Sequence, residues 1–339
     1  MAILGRFGLV PRTRSSRTPC GKCDRELRVQ RGTRIIELPV VLRFRSSYLN
    51  VRQILTNFGI GPRAAAALAA AVALGDLGAR HAGAATPAGE LASHRAVYEL
   101  TLVQARGNSP AMSARGRILY DFSGNACDGY ALQFRQVSEL DNGEGKVTLS
   151  DLRSTTWEDG AANKFVFKSQ NYLNEAPVDT VDGQAARQAD KVVVSLTQPV
   201  DKTFELEPGM AFPTNHMRRI IAAARAHKSI LEVPVYDGSE KGEKVYDTTT
   251  VIGQEIAPDE RLPTDAAAGK RELAGLKRWP VTVSYFERGA VGGDQVPVYS
   301  IKFELYENGV SRALVLDYND FAISGELTSI EIRDTKPCQ

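Results

Sequence analysis

From Leu91 to the end of the chain, apolar and polar side chains exchange places at almost every residue, in runs bounded by Gly, Pro, Asn and Asp. A period of two marks strands that bury one face. The pattern predicts strands at 96–104, 114–121, 132–140, 146–155, 164–170, 191–196, 203–206, 230–235, 244–256, 281–286, 298–306, 311–318 and 327–333. Asn308-Gly309, between KFELYE and VSRALVLDY, predicts a hairpin with a type I′ turn, because Asn-Gly accepts positive φ angles. Asp141-Asn142-Gly143 and Asp182-Gly183 predict further hairpin turns.

One segment changes period. In 213–228, Met217, Ile220, Ile221 and Ala224 stand at i, i+3, i+4 and i+7, one apolar face of a helix. Thr214 is placed to cap its start, and Arg225 and Lys228 suit the helix dipole at its end. Arg218, Arg219, Arg225 and Lys228 could lay such a helix on anionic lipid, but a helix packed on a sheet accounts for the same pattern and is the reading adopted. The stretch 258–271 lacks periodicity and reads as an exposed loop.

This many sequential strands must hide their edges. The fold expected is therefore mostly β: a strongly curved, spiral-like or barrel-like antiparallel sheet with one main helix near 213–228. Residues 85–339 are enough to bury a core as one domain. An outer-membrane barrel fits poorly, since aromatic residues are 7% of the chain and a helix interrupts the strands.

Charge divides the chain. Overall it carries 42 Lys and Arg against 40 Asp and Glu. Residues 1–63 hold 13 basic and 3 acidic side chains, whereas 85–339 hold 28 basic and 36 acidic, a net of −8. An acidic body argues against nucleic acid as the partner. The apolar run 64–74 (AAAALAAAVAL), with Arg52 and Arg63 upstream and Ala82-Gly83-Ala84 downstream, reads as a secretory signal at 51–84 with a small-residue cleavage site. Residues 1–50 then read as an extension ahead of the true start, with Val51 as the alternative start codon. Cys20 and Cys23 supply only half of a structural zinc site. The mature protein is expected in the periplasm, not membrane-spanning, and without the leading cysteine that a lipoprotein needs.

No catalytic, cofactor or metal constellation emerges. His216 and His227, eleven residues apart, would sit about 16 Å apart along a helix, too far to share a metal, and both read as surface or capping histidines. There is no G-x-S-x-G, H-E-x-x-H or phosphate-loop motif, and Gly292-Gly293 lacks nucleotide-loop spacing. Glu158-Asp159 and Asp259-Glu260 sit in turn-like contexts, where carboxylates are usually solvated or hold their own backbone. Cys127 and Cys338 are the only cysteines of the mature body, and in an oxidising compartment a disulfide is expected to join them. The alternative is two unpaired thiols.

Five stretches then carry a resemblance: LASHRAVYELTL from Leu91, GRILYDFSGNACDGYALQFRQV from Gly116, TTWEDG from Thr155, LEPGMAFPTNHM from Leu206 and VYSIKFELYENGVSRALVLDYNDF from Val298. In order and spacing they resemble the EipB family of alphaproteobacterial cell-envelope integrity proteins. The resemblance implies a periplasmic protein with a spiral-like β-sheet and a helix, a bond corresponding to Cys127 and Cys338, and no established catalytic activity. It does not extend to residues 1–50. The family's architecture is similar to periplasmic lipid and lipoprotein carriers, which raises the expectation of an apolar cleft but proves no ligand. The function expected is non-enzymatic maintenance of the envelope, by binding a periplasmic partner or an apolar envelope component on the curved β-sheet. A lipid or lipoprotein carrier and an envelope-polymer hydrolase are the alternatives.

Overall fold

The computed structural model describes residues 90–107, 113–289, 296–335 and 338. Cys20 and Cys23 in the expected extension, the expected signal at 51–84 and Gly292-Gly293 lie outside the described residues. Within them the chain forms β1 (His94–Ala105), β2 (Ser113–Asn125), β3 (Gly129–Asp141), β4 (Val147–Glu158), β5 (Lys164–Leu173), β6 (Ala176–Arg187), β7 (Val192–Gln198) and β8 (Lys202–Leu206). Helix α1 (Pro213–Arg225) follows, then β9 (Ile230–Val235), a 3₁₀ turn (Glu240–Gly242), β10 (Tyr246–Ile252), β11 (Arg278–Glu287), β12 (Tyr299–Tyr306), β13 (Ser311–Asp317) and β14 (Phe321–Ile332).

All fourteen strands join one antiparallel sheet, in the order β8-β7-β6-β5-β4-β3-β2-β1-β14-β13-β12-β11-β10-β9. Sequence neighbours are sheet neighbours along β1–β8 and again along β9–β14. A single long-range pairing, β1 with β14 from His94 opposite Ile332 to Ala105 opposite Phe321, welds the two meanders together. The expected curved, mostly β architecture with one helix is the one observed, and the sheet is not closed by hydrogen bonds, since β8 and β9 remain its ends.

Alternation places the core. Ala96, Tyr98 and Leu100 of β1, Tyr120 and Phe122 of β2 and Leu132 and Phe134 of β3 all turn to the buried face. On α1, Met217, Ile220, Ile221 and Ala224 are buried as the helical period requires. Pro213, His216, Met217 and Ile220 of α1, Val283 and Tyr285 of β11 and Ile301, Phe303 and Leu305 of β12 surround a gap of about 10 Å³. That space holds one water molecule at most.

Curvature is visible in which segments meet. Phe165 and Phe167 of β5, Val181 of β6 and Val194 and Leu196 of β7 form a second buried cluster with Phe212 just before α1 and Tyr236 just after β9. Phe165 stacks on Phe212 at 5.3 Å, and Phe167 meets Tyr236 edge-on at 5.8 Å. The approach is close enough that a Cβ on Gly238, which has φ +71°, would lie 2.4 Å from the Phe167 ring. The sheet is thus curled until its β9 end meets the face of β5–β7. The edge of β9 is covered by the segment leaving β8: Ala211 N–H donates to Pro234 O, and Tyr236 N–H donates to Ala211 O. Pairing of this kind removes the exposed row of backbone groups that would otherwise template aggregation.

Four expectations need correction. Asp182-Gly183 is not a hairpin turn; both lie inside β6, where the pairing with β7 shifts register between them. The strand was missed because its inward positions include Gly183 and Ala185, small residues demanded by Leu196 and Phe167, which a Cβ on Gly183 would meet at 2.8 and 2.9 Å. The Asn308-Gly309 hairpin exists, but Gly309 alone has positive φ, and Tyr306 N–H donates to Val310 O across a three-residue loop. That is the geometry of a turn ending in a left-handed glycine, not type I′. Strand β14 begins at Phe321, six residues before expectation, because Phe321, Ala322 and Ile323 are all buried and so break the alternation. The 258–271 stretch is irregular as expected, yet Ala267 is only 4% exposed.

Candidate functional site

The family-like stretches from Leu91, Gly116, Thr155 and Leu206 converge on one junction, where the turn between β2 and β3, the turn between β4 and β5, the start of α1 and the C-terminal tail meet. The first turn is built by Asn125, whose Oδ1 accepts from Cys127 N–H at 2.8 Å and from Asp128 N–H at 2.7 Å. This side-chain turn holds Cys127 outward, and its sulfur is bonded to that of Cys338, with Cα atoms 5.6 Å apart. The tail before Cys338 is tied down as well: Arg333 N–H donates to Ser93 O, and the Arg333 guanidinium pairs with Asp121 of β2. The bond therefore clasps the end of β14 to the β2–β3 turn, across the intervening β1.

Gly160 seats the second turn against the first. A Cβ there would lie 1.7 Å from Ala126 O, so no larger residue fits without moving the backbone beside the disulfide. Arg218 of α1 donates to Gly160 O at 2.6 Å, locking the helix onto the same turn.

Glu158 is the residue that sequence reasoning placed wrongly. Its side chain is buried, 3% exposed, and it caps α1 from a distant strand: Oε2 accepts from Thr214 N–H and Oε1 from Asn215 N–H, both at 2.8 Å. Thr214 is not the cap. The N-cap position is Phe212, which has no side-chain hydrogen bond, and Pro213 at the first helical position has no N–H to satisfy. The helix thus takes its missing acceptor from β4, which binds helix placement to the sheet. Burial pushes the Glu158 pKa up to about 7, against the pull of the Thr214 and Asn215 N–H groups. A helix-capping carboxylate 56 residues away leaves no local signal; the TTWEDG stretch was the only hint.

The histidines divide. His227 is exposed beyond the helix end, as expected. His216 is 4% exposed, not on the surface: its position on the helix turns it into the core beside Thr248, and burial lowers its pKa to about 3. His94 is likewise buried, donates from Nδ1 to Ala92 O, and is lowered to about 4 by desolvation. Both are neutral imidazoles enclosed by protein. Among the described residues no group of three or more His, Cys, Asp or Glu side chains is arranged to hold a metal ion, and no helix is long and apolar enough to cross a membrane.

Beside the junction lies a cleft of about 430 Å³, floored by Leu91, Ile221 and Ala222 and edged by Gly160, Asn215 and the arginines 218, 219 and 225. It is the part of this junction where solvent, apolar surface and concentrated positive charge coincide.

The EipB-like family model matches residues 85–334, which is the β-rich body. Over 274 residues the chain is 36% identical to the cell envelope integrity protein EipB of Brucella abortus (strain 2308), an alignment covering 80% of this chain and 95% of the relative. A solved structure from Brucella abortus, described as a beta-barrel-like protein of the domain of unknown function DUF1849, superposes with a TM-score of 0.66 at 34% identity, covering 72% of this chain and 99% of the other.

Proposed function

The chain belongs to the EipB-like family, and from that premise we propose that it is a non-enzymatic periplasmic protein that maintains cell-envelope integrity by binding an envelope component or periplasmic partner on its outer surface. The observation that carries the role is the 36% identity spanning nearly the full length of the cell envelope integrity protein EipB. The gap of about 10 Å³ lined by Pro213, His216, Met217, Ile220 and Phe303 is too small for an acyl chain, which supports binding away from this helix–sheet contact. The carboxylate most deeply placed at the junction, Glu158, has both oxygens committed to the helix backbone.

The test is genetic. Deleting the gene should sensitise cells to detergents and to envelope-directed antibiotics, with resistance restored by the intact gene. Unchanged sensitivity would count against the role. Export is tested separately by fractionation: the 85–339 body should be recovered in the periplasmic fraction, cleaved near Ala84.

A further inference from the structure

The cleft beside the helix start concentrates cations in a body that is otherwise acidic. Most of the arginines there are not spent on carboxylates. Arg218 donates only to the backbone at Gly160 O, and Arg219 pairs with no carboxylate among the described residues. Nearby Arg187 donates to Ala162 O, Pro208 O and Met210 O and lies 5.3 Å over the Phe212 ring. Burial, and after it the proximity of Arg219, depresses the Arg187 pKa, which places two guanidinium groups within each other's field, with Glu158 and Asp159 acting in the opposite sense. Two carboxylates of this neighbourhood are engaged: Glu158 by the helix N–H groups, and Glu307 by Arg225 at 3.2 Å. Asn215 adds an amide on the cleft wall whose Oδ1 is shielded from solvent and has no hydrogen-bond partner. A shielded polar atom without a partner calls for an explanation.

The floor is apolar, through Leu91, Ile221 and Ala222, while the rim is cationic. Guanidinium groups bind oxyanions through paired, charge-assisted hydrogen bonds. An inorganic ion would use the rim and leave the floor wet. An anionic bilayer lying flat on this face would be opposed by the −8 charge of residues 85–339. We propose that this cleft is a binding site for a single oxyanion carried on a short apolar stem, with Arg218 and Arg219 holding the anion and the exposed apolar surface at Ala222 taking the stem. This specifies the ligand chemistry of the binding role proposed above, and it is tested on purified protein, so that its failure leaves the deletion phenotype standing.

Isothermal titration of the full chain with hexyl phosphate, inorganic phosphate and hexanol separates the two halves of the site. Hexyl phosphate should bind at least tenfold more tightly than inorganic phosphate or hexanol, and more weakly as salt rises. Losing the charge-assisted bonds of one guanidinium should weaken it by about tenfold or more in R219Q. Arg219 makes no structural contact of the kind Arg218 makes with Gly160, so R219Q should melt with wild type; R218K, which keeps a donor but not the planar fork, should weaken binding with the fold intact. Equal affinity for inorganic phosphate or for hexanol, or unchanged affinity in R219Q, would overturn the proposal. Phosphatidylglycerol vesicles then identify the source: binding that depends on Arg219 points to a membrane lipid headgroup, and hexyl phosphate binding without vesicle binding points to a soluble anion.

Discussion

Replacing Glu158 with alanine removes the acceptor for two helix N–H groups at once. Thr214 N–H and Asn215 N–H lose bonds of 2.8 Å in a partly buried setting, and no side chain of α1 can replace them, because the N-cap is Phe212. Each orphaned donor costs about 1 to 1.5 kcal/mol, toward the low end of the usual range. The expected destabilisation is about 2–3 kcal/mol. For a body of this size it should lower Tm by about 4–12 °C. Thermal melts followed by circular dichroism compare wild type, E158A and E158Q. The glutamine variant keeps one acceptor but turns an amide N–H toward the other donor, so it should fall between them. The pH dependence has a defined sign. The pKa of Glu158 in the folded protein, about 7, lies above its ordinary 4.5, so the native state holds this proton more tightly. The resulting stabilisation is complete below about pH 4.5 and is lost as pH rises through 7. The advantage of wild type over E158Q should therefore shrink from pH 5 to pH 8. An E158A protein melting within 1 °C of wild type would refute the capping role, and a gap to E158Q that widens with pH would refute the raised pKa.

Three further outcomes follow from the same geometry. The unreduced protein should weigh two hydrogens less than the reduced one, and reductant, or Cys338→Ser, should destabilise it by up to roughly 5 kcal/mol for a loop of this length; two thiols alkylated under native, oxidising conditions would contradict the bond. Gly160→Ala should cost about 2 kcal/mol or more because its methyl meets Ala126 O at 1.7 Å, whereas Gly209→Ala, with nothing within 4 Å, should be near neutral; similar denaturation midpoints for the two would remove the argument for that close approach. His216 is enclosed with its pKa lowered to about 3, so the stability it contributes is complete above pH 6.5 and is lost as pH falls toward 3. His216→Met should make the loss of stability between pH 6 and pH 4 shallower by about 1.4 kcal/mol per pH unit in urea unfolding, and an unchanged slope would mean that the imidazole is not buried neutral.

Much of the scaffold was legible because strands and helices announce themselves locally. The two-residue period located thirteen of the fourteen strands found among the described residues, and the change to a helical period located α1, with its apolar face correctly assigned. The exceptions share a cause. In β6 the inward side chains are small because large ones on β5 and β7 occupy the space, so the hydrophobic signal of that strand resides in its neighbours. In β14 the first three residues are buried without alternation. Asn308-Gly309 marked a hairpin but not its turn type, since Ala92 N–H on the preceding segment takes Asn308 O and Leu91 presses on Gly309.

The site was less legible than the scaffold. Glu158 looked like a turn carboxylate beside Asp159, and its neighbours along the chain say nothing of a helix whose first turn lies more than fifty residues on. Arg218 and Arg219 stood out only as cations of a helix packed on a sheet; the docking of α1 against Gly160 and Leu91 turns them into the edge of a cleft.

By itself the sequence determined the period of most elements and the acidic body, because propensity, patterning and charge are properties of short stretches. Tertiary structure alone decided that β14 returns to β1, that the sheet curls until Tyr236 meets Phe167, that Glu158 caps α1, and that three arginines surround an apolar floor. Each of those depends on residues far apart in the chain reaching contact distance, and that distance is set by how all fourteen strands twist and pack together.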